Sequence, residues 1–85
     1  MIDAYELDGS KMQELPEAHD HLKEILGFPD YYGKNLDALF DCLTGRAGET
    51  MLFITHAELL HPKLQQVLDD AMEHNERLTV LYEYR

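Results

Sequence analysis

Positive charge is scarce in this chain. Of its 85 residues, 7 are Lys or Arg against 17 Asp or Glu, a formal net charge of −10 with the histidines neutral. That balance counts against nucleic acid and anionic membrane surfaces as partners and favours a basic one. Cysteine is scarcer still: the single Cys42 excludes an internal disulfide and fits a reducing cytosol. The N-terminus, Met-Ile-Asp-Ala-Tyr-Glu-Leu-Asp, has no basic region and no long apolar run, so no signal peptide is expected. No apolar stretch approaches the length of a membrane span, and the expectation is a cytoplasmic protein. Histidines are present, but not at the i, i+4 spacing of a helical zinc site. His19 and His21 are i, i+2 and point apart on a helix, and His56 and His61 are i, i+5. No metal and no cofactor are expected.

What is present describes a small globular protein. The hydrophobic fraction of 45% is ordinary, so the acidity does not signal disorder. A chain of this length makes one domain, here residues 1–85, and buries only about 60–65% of its unfolded surface. Ile2 to Leu7 is a strand candidate closed by the turn Asp8-Gly9-Ser10. Pro16 suits the first position of a helix whose stripe is Ala18, Leu22, Ile25 and Leu26, and Gly27 and Pro29 stop it. A second helix runs from an Asn35 N-cap to Gly45. Met51-Leu52-Phe53-Ile54 is a continuous apolar run, which suits a strand covered on both faces.

Thr55 with Glu58 has the spacing of a capping box, predicting a short helix from His56. Pro62 opens a further helix with the stripe Leu64, Val67, Leu68, Ala71 and Met72 and a C-cap at Asn75. Leu78 to Tyr82 is the last strand. Strands joined by helical crossovers pair in parallel. The expected fold is therefore α/β: a three-stranded parallel sheet packed with three to four helices.

The stretch from Pro29 to Gly45 carries the most information: Pro-Asp-Tyr-Tyr-Gly-Lys-Asn-Leu-Asp-Ala-Leu-Phe-Asp-Cys-Leu-Thr-Gly. Leu36, Leu39, Phe40 and Leu43 recur at i, i+3, i+4, i+7 and make one helix face apolar. Asp37, Asp41 and Thr44 line a second stripe, roughly a quarter turn away. The helix dipole favours Asp37 in the first turn but does little for Asp41. Two carboxylates one turn apart repel by a few tenths of a kcal/mol, so an external cation would account for them better than the helix does. Three uses remain open on the residues alone. A catalytic carboxylate pair needs a cleft and separated pKa values. A solvated face needs nothing. An anionic docking surface needs a basic partner.

Other residues are equally two-sided. Tyr31 and Tyr32 cap the core or anchor an interface. Asn35 caps the helix whatever else it does. Thr44 faces a partner or bonds back to the i−4 carbonyl. Cys42 reads as a small, partly buried thiol. Asp70, beside Asp69, lies near the edge of the fourth helix's stripe.

The run Tyr31-Tyr32-Gly33, Asn35-Leu36-Asp37-Ala38-Leu39, Asp41 and Leu43-Thr44-Gly45 resembles the barstar family, intracellular inhibitors of a small secreted bacterial ribonuclease. The resemblance extends more weakly over the whole chain, and helical amphipathicity alone dictates only its leucines and phenylalanine. It implies a barstar-like fold, no catalytic residues, and a basic ribonuclease as a one-to-one protein partner. It implies docking through Tyr31, Gly33, Asn35, Asp37, Phe40, Asp41, Thr44, Gly45 and Asp70, with carboxylates taking the place of RNA phosphate. By the same resemblance Tyr31 is the exposed contact, Tyr32 the more structural one, and the turn at Gly33 part of the docking loop. The chain departs from the family at three positions. Asp70 stands where the family has a glutamate, and Phe40 and Arg46 where it has tryptophans. Phe40 keeps an apolar role, while Arg46 places a cation that should repel a basic ribonuclease. The alternative is an immunity protein, an antitoxin on the same scaffold that neutralises an unrelated basic toxin.

Overall fold

Alternation along three short strands builds the sheet. The computed structural model describes residues 2–84; Met1 and Arg85, the two ends of the expected domain, lie outside the described residues. Strands β1 (Ile2–Asp8), β2 (Glu49–Thr55) and β3 (Leu78–Tyr82) pair in parallel in the order β1-β2-β3. Leu7, Leu52, Ile54, Leu78 and Val80 are buried. Residues of the other parity, Glu6, Phe53 and Leu81, stand in one row across the sheet.

Three helices follow from the apolar stripes: α1 (Leu15–Leu26), α2 (Leu36–Thr44) and α3 (Pro62–His74). Single 3-10 turns at Gly9–Lys11 and Ala57–Leu59 complete the elements. Right-handed crossovers that step always in the same direction put every connecting helix on one side of the sheet. The expected parallel α/β architecture is therefore present as two layers. The expectation that β2 is covered on both faces is not met. Phe53 is 37% exposed and Leu81 44%, because a β1-β2-β3 order leaves no crossover for the second face.

Local chemistry differs at two more places. α1 begins one residue before Pro16, with Glu14 as N-cap, and ends at Gly27 in the left-handed conformation (φ 71°). The capping box of Thr55 and Glu58 does not form. The Thr55 hydroxyl donates to the Leu7 carbonyl (3.2 Å), so it ties β2 to β1 instead of capping a helix. His56, at φ 50°, then turns the chain into the short 3-10 segment.

Where β1 ends, Gly9 is buried against the end of β2. A β-carbon there would stand 2.7 Å from the Thr55 carbonyl oxygen and run into that of His56. Both obstacles are backbone, which cannot swing aside. Gly9→Ala is expected to cost about 1–3 kcal/mol or more by forcing the two strand ends apart. Urea unfolding checks this: the midpoint should fall with little change in slope.

Candidate functional site

α2 is fixed at both ends and along one side. At its start the Asn35 side-chain oxygen accepts from the Ala38 amide (2.7 Å), the geometry of an N-cap worth about 1 kcal/mol. At its end the exposed Gly45 returns its amide to the Asp41 carbonyl (2.9 Å), and the Asn75 side-chain amide donates to the Leu43 carbonyl (3.0 Å). Leu39 and Leu43 are completely buried. Phe40 is half-buried and meets the His74 ring of α3 edge-on, with centroids 5.3 Å apart. Cys42 is half-buried too, and burial with nearby Asp41 pushes its thiol pKa up, so it is a poor nucleophile.

The outward side of α2 presents Asp37 and Asp41, both exposed. Among the described residues neither carboxylate has a hydrogen-bond or ion-pair partner, and the same holds for exposed Asp70 on α3. Asp69 differs: its carboxylate accepts from the Tyr82 hydroxyl (2.8 Å), which ties α3 to the sheet edge. The Thr44 hydroxyl bonds back to the Phe40 carbonyl (2.8 Å), so its donor is used within the helix.

Ahead of α2, residues 28–35 form a loop without regular structure. Tyr31 is 89% exposed, while Tyr32 is buried. Gly33 is exposed and lies under the Asn35 side chain, whose amide donates to the Gly33 carbonyl (3.3 Å). The left-handed residue of this turn is Lys34 (φ 51°), not Gly33. The glycine's use here is closeness: a β-carbon would stand 3.0 Å from the Asn35 amide nitrogen.

The nearby cations are already engaged. Lys34 pairs with Asp20 (2.8 Å) and Lys23 with Asp30 (3.6 Å). The hydrogen bond and charge of Lys34 hold the Asp20 pKa below its ordinary value. Arg46 lies over the Tyr5 ring (5.5 Å to the centroid) and donates to the Tyr5 hydroxyl (3.3 Å) and the Thr50 hydroxyl (3.4 Å). What remains on α2 is a pair of uncompensated carboxylates on a rigid support. That is a surface able to accept several hydrogen bonds from guanidinium or ammonium groups. The groove between α1 and the start of α2 is lined by Asp37 but not by Asp41, so it does not enclose the carboxylate pair.

Sequence reasoning missed the group behind the loop. Buried His19 of α1 contacts the Tyr32 hydroxyl through Nδ1 (2.7 Å). Its signal was available, since His19 falls on the α1 stripe with Leu15, Ala18, Leu22 and Leu26. The braces from α3, His74 to Phe40 and Asn75 to Leu43, have no signal in the α2 segment itself.

Comparison with known proteins bears on the same surface. The family model described as "Barstar (barnase inhibitor)" matches residues 2–83. The Bacillus subtilis (strain 168) protein named "Putative ribonuclease inhibitor YrdF" is 43% identical over 68 residues, which span 79% of this chain and 75% of that one.

Asp41 has no structural task on α2. Asp41→Ala is therefore expected to leave the melting temperature unchanged or raise it slightly, since it removes repulsion with Asp37 and installs the better helix former. A thermal melt followed by circular dichroism reads this directly; a fall of several degrees would assign Asp41 a structural role.

Proposed function

The chain belongs to the barstar family, and from that membership we propose that it inhibits a small basic ribonuclease by binding one-to-one over the active site. The observation that carries this reading is the unpaired Asp37–Asp41 stripe, held outward by a helix whose other side is buried. A ribonuclease gathers Arg, Lys and His around the phosphates of its substrate. The Asp41 carboxylate occupies a phosphate position among those donors, with Asp37 beside it and Asp70 reaching from α3. Charge-assisted hydrogen bonds to forked guanidinium groups are short and strong. Exposed Tyr31 and the backbone at Gly33 cover the flank and exclude water, while Asn35, Phe40, Thr44 and Gly45 shape the surface around the carboxylates. The chain supplies no catalytic group and needs no cofactor for this task.

Arg46 works against a uniformly basic partner, and the Tyr5 ring and hydroxyl draw its charge onto the sheet edge. An antitoxin directed at an unrelated basic toxin would use the same surface, and Arg46 is the residue that favours it. Among the described residues no helix is long and apolar enough to cross a membrane. We place the protein in the cytoplasm, where such an inhibitor protects the cell's own RNA.

Titration of a small basic ribonuclease should reach a sharp one-to-one endpoint with RNA cleavage abolished; full cleavage at excess inhibitor would reject the reading. Among single variants, Asp41→Ala should cost most. The loss is about 2–5 kcal/mol of binding and falls mainly on dissociation, a range to which charge pairs in this family's own complexes contribute. Asp37→Ala should cost less, and Asp70→Ala least, because its side chain is short. Surface plasmon resonance gives the ranking.

Charge elsewhere on the chain acts at longer range. Glu14, Glu17, Asp20 and Glu24 belong to the first helical region, and Asp69, Asp70, Glu73 and Glu76 to the last. The association rate should fall steeply as salt is raised, while dissociation changes less. Stopped-flow mixing at low and high ionic strength decides it: a flat association rate would leave these acids with no steering role.

A further inference from the structure

Tyr31 and Gly33 face solvent, yet the residue between them is buried. The Tyr32 ring lies against Phe28 (centroids 4.8 Å apart) and tilts toward His19 (5.7 Å). Its hydroxyl ends 2.7 Å from His19 Nδ1. His19 is 3% exposed and Tyr32 6%, so water does not compete for this bond. At the loop's first residue the Phe28 amide donates to the Lys23 carbonyl of α1 (3.1 Å), and the side-chain ties further along the loop, besides His19 with Tyr32, are ion pairs. Lys34 with Asp20 and Lys23 with Asp30 reach solvent, with both carboxylates largely exposed, and salt screens such pairs. Local bonds from the Tyr32 amide to the Pro29 carbonyl (2.9 Å) and from the Asn35 side-chain amide to the Gly33 carbonyl (3.3 Å) shape the loop without joining it to α1, and Lys34 adopts a left-handed conformation that a side chain makes costly.

We infer that His19 is a positioning residue for the docking loop. Its bond to Tyr32 holds Tyr31 and Gly33 where a partner meets them, and protonation of His19 loosens that hold, so docking weakens in acid. The inference rests on the docking reading of this surface. It adds a residue outside the contact area and a dependence on pH.

The direction follows from the surroundings of the ring. His19 faces Tyr32 and Lys34 from the loop and Asp20 from its own helix, and Tyr32 in turn senses Cys42 of α2. Burial lowers the His19 pKa from its ordinary 6.5; Lys34 lowers it further, and Asp20 offsets part of the effect. Burial likewise raises the pKa of Tyr32, which stays a neutral hydroxyl. A state with the loop lifted and His19 hydrated therefore binds more protons than the closed one. The closed loop has its full advantage above 6.5 and loses it progressively as pH falls below that value. A partner that requires the closed loop sees its apparent affinity reduced by the fraction still closed.

The test uses the whole chain with three variants, His19→Asn, His21→Asn and Tyr32→Phe. In His19→Asn the introduced side-chain amide can stand where Nδ1 stood, and it does not titrate. His21 is the control, because burial lowers its pKa from the same ordinary 6.5, with Lys11, Asp8 and Glu24 around it. Hydrogen exchange of the Tyr32 amide, which donates to the Pro29 carbonyl inside the loop (2.9 Å), is measured by NMR at about pH 7.5 and about pH 5.5, corrected for intrinsic rates. A small basic ribonuclease is titrated at both pH values. Tyr32→Phe should speed exchange of this loop amide about tenfold more than that of the sheet, the factor for a lost buried hydrogen bond.

Acid should produce the same selective loosening in the wild type and in His21→Asn, but not in His19→Asn. The ribonuclease's own titration is common to every variant. An additional loss of affinity in acid should appear in the wild type and be absent from His19→Asn. Unchanged loop exchange in Tyr32→Phe would overturn the proposal. So would an acid effect that persists in His19→Asn or disappears in His21→Asn. If the wild type binds no ribonuclease at either pH, the docking reading falls; the exchange data then decide the tether alone.

Discussion

α2 can carry two adjacent, unpaired carboxylates because its opposite side is buried. A helix of nine residues is too short to persist alone, so its existence is a tertiary matter. Fully buried Leu39 and Leu43 each contribute about 1.5–3 kcal/mol through removal from water. Repulsion between Asp37 and Asp41 amounts to only a few tenths of a kcal/mol. Packing wins by an order of magnitude, which frees the outward stripe from any stabilising duty. Everything proposed for the surface depends on that inequality. The brace from the Asn75 side chain to the Leu43 carbonyl fixes the angle at which the stripe is presented.

The fold was legible because its elements are locally consistent. Three apolar stripes with punctuation at Pro16, Gly27, Asn35, Gly45 and Pro62 predict three helices, and three helices appear. The parallel sheet follows from the crossovers between strands. The face of β2 was misjudged for a reason that periodicity cannot overcome. An unbroken apolar run says that both sides tolerate burial, whereas topology decides which side is covered. A β1-β2-β3 order sends both crossovers to one side, and Phe53 and Leu81 are left at the surface. The box at Thr55 and Glu58 failed similarly, because the Leu7 carbonyl offered the Thr55 hydroxyl a partner across the sheet.

The candidate site divides along the same line. Asn35 as cap and the two-stripe character of α2 could be read within one segment, since both are short-range properties. Which of the two tyrosines faces inward came from the family resemblance, and the buried and exposed states of Tyr32 and Tyr31 agree with it. Partnerships between segments left weaker traces. His19 sits on an apolar stripe, but only the arrival of Tyr32, 13 residues on, explains how a polar ring can be buried there. Arg46 taken alone is a rim cation. Its engagement with Tyr5, 41 residues away, depends on the pairing of β1 with β2 and could not be foreseen from its neighbours.

Charge compensation on this molecule is uneven, and that unevenness separates steering from docking. Lys34 and Lys23 are paired with carboxylates beside the loop, and Arg46 lies on an aromatic ring at the sheet edge. The two lysine pairs are exposed enough to add little stability. Their joint effect is positional, because they hold the cations close to Asp20, Asp30 and Tyr5 and leave Asp37 and Asp41 without partners. The excess of acids on α1 and α3 then sets a field of one sign that acts beyond contact distance, within the reach that salt allows. The field draws in any basic protein alike. On the docking reading proposed above, discrimination comes from the short range, where a partner must present donors to the carboxylate pair and fit the loop whose Tyr32 meets His19. For an inhibitor of the proposed kind, a long-range term that is unselective and a short-range term that is geometrically strict would mean meeting basic proteins often and keeping few.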